Sequence, residues 1–229
     1  AISSAMARGR RAEAMKTAED SMRISAAIAL PMGVGLAVLS YPIMNILYPN
    51  SNEAGPGLLS IMGVASFFVC LVLMDNAILQ ASGKEKLTMI TLISGGLIKI
   101  AVNWFLVAER SINIYGAPVG TLVSYFFMAA LAFVFMCVTL REKPRALRVF
   151  AGPLGASLLM GATAWAIYGL AGRFVGADSY LGMLMSMALA IAAAVLVYAV
   201  SVITMKVITK EDMSLIPGGA KVAKILHMR

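Results

Sequence analysis

Apolar residues in this chain come in long unbroken blocks separated by short polar connections. The blocks lie near 24–48, 57–82, 87–108, 115–140, 149–171 and 180–206. Each clears the roughly 20 residues that a helix needs to cross about 30 Å of hydrocarbon. Lipid offers no partner to a backbone N–H or C=O, so a crossing segment is a helix or part of a closed barrel. Alternating segments of about ten residues, the mark of a barrel, are absent. The pattern therefore predicts an all-α, polytopic membrane protein with six transmembrane helices in one bundle. Its domain reading is a cytoplasmic amphipathic connector over 1–23, a bundle over 24–208 and a cytoplasmic basic tail over 209–229.

Charge fixes the expected orientation. With residues 1–23 taken as cytoplasmic, that side receives Arg8, Arg10, Arg11, Lys16 and Arg23, then Lys84 and Lys86, four basic residues over 141–148 and five from 206 onward. The opposite loops hold only Arg110 and Arg173, and Lys99 falls within a span. Sixteen against two, alternating at every crossing, is a positive-inside pattern that supports six spans independently. It accounts for the net charge of +8 without a nucleic-acid partner, and makes anionic lipid the expected partner of the basic loops.

Composition excludes a soluble domain: 60% of residues are hydrophobic, 13% are charged, and the mean hydropathy is +0.86. Cys70 and Cys137 lie in apolar runs and read as buried thiols. The one histidine, His227, stands near the end of the chain. Neither a nucleophile–base pair nor a metal-ligand cluster can be assembled from this set, so no enzyme, metal or cofactor is expected. The chain opens at Ala1 on a polar stretch without a secretory signal, and we expect it to be the C-terminal piece of a longer protein.

Several spans carry helix breakers: Pro31, Gly33 and Gly35, then Gly95 and Gly96, then Pro118 and Gly120. Close packing or a hinge are the two readings. Gly116 and Gly120 form a weak GxxxG. The closing SLIPGGAKVAKILHMR predicts a break and then a short basic helix on the membrane surface.

The chemistry concentrates around Asp75–Val107. This stretch reads as a span, a tight basic turn at Gly83–Lys86, and the returning span as an antiparallel neighbour. Asp75, Asn76 and Gln80 share a face of the first arm, and Lys99 and Asn103 share a face of the second, beside Trp104. Ionisable groups at membrane depth cost roughly 2.5–3.5 kcal/mol each on insertion scales, so they face protein or water. At 1.5 Å per residue, Asp75 sits about 10–12 Å above the turn and Lys99 about 20 Å, so a direct ion pair needs Lys99 to reach down or water to bridge. Two roles stay open: polar glue between helices, or the lining of a transport cavity. A cavity lysine suits an anionic substrate such as a pyrophosphate.

Four ordered blocks carry a resemblance: ALPMGVGLAVLSYPIMNILYP (29–49), ILQASGK (78–84), GGLIKIAVNWFLV (95–107) and INIYGAPVGTLVSYFF (112–127). Together with the closing IPGG, the chain over roughly 24–220 resembles the C-terminal half of the MOP flippase superfamily. It is most similar to the stage V sporulation protein B and polysaccharide-biosynthesis branch, related to lipid II flippases. The resemblance implies one helix bundle of a MOP/MATE-like transporter in the bacterial cytoplasmic membrane. Its implied partners are an N-terminal bundle of the same protein and a lipid-linked oligosaccharide used in peptidoglycan or other cell-wall polysaccharide biosynthesis. It puts Lys99 on the family's lysine-bearing position and carries over Gln80 and Gly83; Asp75 matches no family position. The expected transport cavity is Lys99, Asn103, Asp75, Asn76 and Gln80. The alternatives are a cation-coupled multidrug exporter of the same fold, which would favour acidic cavity residues, and a non-transporting structural membrane protein.

Overall fold

The computed structural model describes residues 2–49, 54–109, 112–141, 146–175 and 179–205, without the side chains of 146–148 and 175. Among them no strand occurs. Eight α-helices run in order: α1 Ile2–Ala7, α2 Arg11–Val38, α3 Ser40–Leu47, α4 Ala54–Ala81, α5 Glu85–Ala108, α6 Gly116–Leu140, α7 Ala146–Val175 and α8 Tyr180–Thr204. A 3₁₀ turn, Asn113–Tyr115, precedes α6. Six of these helices, α2 and α4–α8, are long and apolar enough to cross a membrane, as the hydrophobic blocks predict. The tail beyond residue 205 and residues 142–145 of the 141–148 connection lie outside the described residues.

The first crossing differs from its prediction at both ends. Its helix starts at Arg11 rather than near residue 24, because Ala14, Met15, Ala18 and Met22 are buried at helical spacing against the bundle. It then breaks at Leu39 (φ −95°, ψ 15°) and resumes as α3. Pro42 explains the break. It has no N–H to give the Val38 carbonyl, and its ring presses on that carbonyl. Pro31 has the same chemistry but leaves α2 continuous. The carbonyl it deprives is that of Ala27, and the Tyr198 hydroxyl of α8 donates a hydrogen bond to this oxygen. A partner from another helix replaces the missing amide.

The helices pack as a curved row in the order α5, α6, α4, α2, α7, α8, with α3 against α4 and α8. Glycines set the closest approaches. A Cβ on Gly33 of α2 would lie 2.6 Å from the Gly63 carbonyl oxygen of α4, and one on Gly63 would lie 2.8 Å from the Ala37 nitrogen. A Cβ on Gly116 would lie 2.8 Å from the Leu106 backbone of α5, while Gly95 and Gly120 abut the side chains of Met128 and Asn103. Three of the breakers read from the sequence, Gly33, Gly95 and Gly120, are thus contact points; Gly96 faces open space. Pro118 falls in the first turn of α6, where its missing N–H costs nothing. The row also corrects one expectation: α4 and α5 share a turn but make little contact, because α6 lies between them.

Tyr198→Phe is expected to lower the unfolding free energy by about 1–3 kcal/mol, because it orphans the Ala27 carbonyl. In a Pro31→Ala background the loss should shrink, since a backbone amide then serves that oxygen. Denaturation of the two single variants and the double variant in detergent measures the coupling.

Candidate functional site

Two separate polar centres form at membrane depth. The first is on α4. Asp75 is 1% exposed and Asn76 is also buried, and the Oδ1 atom of each has no hydrogen-bond partner. Asp75 lines a cavity of about 240 Å³ with Met22, Phe68, Leu71, Phe126, Phe133 and Phe150, from α2, α4, α6 and α7. The phenyl rings are locked edge to face: Phe68 and Phe126 lie 5.3 Å apart, and Phe150 lies 6.1 Å from Phe67. Among the named lining residues Asp75 alone carries a charge. A lone carboxylate in such surroundings calls for a neutralising partner, and the cavity has room for a small cation with a few waters.

The second centre is on the α5–α6 contact. Gly95 meets Met128, Asn103 meets Gly120, and Leu106 meets Gly116. This antiparallel register puts Lys99 level with Ser124, a buried residue whose hydroxyl donates to the Thr121 carbonyl at 3.0 Å. Lys99 is half-buried on this face. The ion pairs Arg10–Glu13 and Arg23–Asp20 lie at the N-terminal end, and among the described residues neither Asp75 nor Lys99 forms one. The Asn103 Oδ1 is buried without a partner. Asn103 also edges an open, shallow pocket with Ile100, Trp104, Val107 and Ala108.

The five residues expected to line one cavity therefore divide. Asp75 enters the bundle between α2, α4, α6 and α7, and Asn76 is buried next to it on α4. Lys99 and Asn103 face α6 from its other side, and Lys99 edges neither pocket. Gln80 is exposed in the last turn of α4, where its backbone carbonyl accepts the Gly83 amide at 2.9 Å. That bond and the Lys84 amide to the Leu79 carbonyl close the helix over Gly83, whose φ of +70° suits glycine. Sequence reasoning passed over the phenylalanine lining. Its signal was present: Phe68, Leu71 and Asp75 share one face of α4, and Phe126 and Phe133 are seven apart on α6. Cys70 and Cys137 are free, half-buried thiols.

The architecture is that of a polytopic helical membrane protein with ionisable groups inside its bundle. Comparison with protein families adds a match to the family described as MatE over residues 1–105, from α1 through most of α5 and including Asp75 and Lys99. Over those residues, somewhat less than half of its length, the chain is similar to that family. No curated protein and no solved structure gave a match.

A methyl group added at Gly120 would run into the Asn103 carboxamide. Gly120→Ala is expected to lower stability by about 1–3 kcal/mol, as overpacking does. Adding Asn103→Ala should recover part of that loss, and Gly96→Ala, in open space, should leave the melting temperature unchanged. Thermal melts of the three variants and the unaltered protein in one detergent test the register.

Proposed function

We propose that this chain is one helix bundle of a membrane flippase that moves an isoprenoid-linked saccharide by alternating access. The observation that carries the reading is Lys99, an ammonium in the middle of the α5 span with no ion pair to a carboxylate among the described residues. Holding an uncompensated cation in hydrocarbon is costly, and an anionic phosphate or pyrophosphate passing its face would repay the cost. The edge position of α5 supports the same reading. Trp104 and Phe105 are about three-quarters exposed, and Ile93, Leu97 and Ile100 are also uncovered, so this helix has a broad apolar face free for lipid or for a second bundle. The partners follow: a lipid-linked oligosaccharide, an N-terminal bundle of the same protein, and anionic lipid at the basic loops. The positive-inside count supports cytoplasmic ends in a bacterial inner membrane.

Asp75 favours a second reading. A buried, unpartnered carboxylate in an aromatic cavity suits a cation-coupled exporter of the same fold. Asp75, Asn76 and the phenylalanines would then carry the coupling, and Lys99 would serve packing.

In proteoliposomes of the complete transporter, Lys99→Met is expected to cut flipping of a fluorescent polyprenyl-pyrophosphate saccharide at least tenfold, with yield and melting temperature unchanged. Equal activity sinks the flippase reading. Asp75→Asn separates the two: loss of gradient-driven drug efflux, with saccharide flipping untouched, favours the exporter.

A further inference from the structure

The flank of α5 beside its seam with α6 carries Leu92, Gly96, Lys99 and Asn103, whose helical spacing stacks them in one column. Two adjacent glycines at its middle turn meet different surroundings. Gly95 is buried, and Met128 of α6 fills the space where its side chain would be. Gly96, turned by about 100° from it, is exposed. Among the described residues nothing lies within 4 Å of where its Cβ would be.

A glycine inside a helix costs stability relative to alanine. Elsewhere in the bundle a close contact offsets that cost: Gly33, Gly63, Gly116 and Gly120 each abut a neighbouring helix. Gly96 has no such contact, and it stands halfway along α5, in a span. Lys99 borders the gap. Helix side chains lean toward the N-terminus of their helix, which carries the Lys99 ammonium toward the turn of Gly95 and Gly96. Lys99 is half-buried and forms no ion pair among the described residues. The missing side chain thus leaves a recess walled by backbone next to an unmatched cation, and an anion can approach both closely. Around it Leu92, Ile93, Leu97 and Ile100 are 49–67% exposed, a surface that suits a hydrocarbon chain.

We propose that the Gly96 recess seats the pyrophosphate of the lipid-linked substrate against Lys99, with the hydrocarbon chain lying on the apolar residues around it. This seat presupposes the flippase reading and adds Gly96 as the residue that sets how closely the anion approaches. Other occupants meet the charge less well. A lipid tail alone fills the recess but leaves the ammonium unmet. A second copy of the chain, meeting the first across a two-fold axis at Gly96, brings two Lys99 ammonium groups together.

The test is binding of the fluorescent polyprenyl-pyrophosphate saccharide to the complete transporter in lipid nanodiscs. Gly96→Leu fills the recess and keeps the charge, and is expected to weaken binding at least tenfold with the melting temperature unchanged. Gly96→Ala should weaken it less. Lys99→Met should match Gly96→Leu, and the double variant should lose no more than either, because both residues hold one group. A fluorescent polyprenol without phosphate should bind all of these alike, and Gly169→Leu, at an open glycine of α7, should bind the saccharide as the unaltered protein does. Unaltered binding by Gly96→Leu with Lys99→Met impaired overturns the recess and leaves the flippase reading standing. Unaltered binding by Lys99→Met removes both. An equal loss with Gly169→Leu, or weaker polyprenol binding by Gly96→Leu, also overturns the proposal. So does a fall of several degrees in the melting temperature of Gly96→Leu, which means that a helix packs there.

Discussion

Everything in this bundle depends on how helices find each other without a hydrophobic drive between them. Lipid tails are as apolar as leucine, so association rests on close contact and on satisfied polar groups. Here close contact is written in glycine. Gly33 against Gly63 joins α2 to α4, and Gly95, Gly116 and Gly120 fit α6 to α5. These contacts, rather than the order of the chain, decide which faces meet. They put α6 between two helices that share a three-residue turn, and so keep a carboxylate and an ammonium in different compartments of the same wall.

That separation gives the chemistry its character. A salt bridge between Asp75 and Lys99 would cancel both charges and leave a structural element of little functional reach. Kept apart, each is an unmet demand: one for a cation, in an aromatic chamber, and one for an anion, on a helix at the edge of the row. A transporter uses such demands, because a solute or ion that meets one shifts the balance between conformations by its differential affinity. The MatE match over residues 1–105 covers both.

The sequence announced the six crossings plainly, since length and hydropathy are local properties and lipid leaves the backbone one choice. It was less informative wherever a partner decides. Residues 11–23 look like a polar surface segment until Ala14, Ala18 and Met22 are seen to face other helices. Pro31 and Pro42 are alike as residues, yet one helix runs through and the other stops, because a tyrosine far along the chain serves only the first. Asp75 and Asn76 were legible as buried from hydropathy alone. Gln80 was not, since one further turn carries a side chain out of the bundle to its end. Lys99 falls in the middle of α5, but the direction it faces depends on the glycine register with α6.

The bond from Tyr198 to Ala27 spans 171 residues, and this has a bearing on biogenesis. The first long helix enters the membrane carrying an acceptor that its own proline has stripped of a donor. Its partner is synthesised only when nearly the whole described chain has emerged. Until then the nascent helix must borrow water, a lipid headgroup or the insertion machinery to cover that oxygen. The last hairpin to arrive thus does more than extend the row: it relieves a debt contracted at the start, and ties completion of the bundle to completion of the chain.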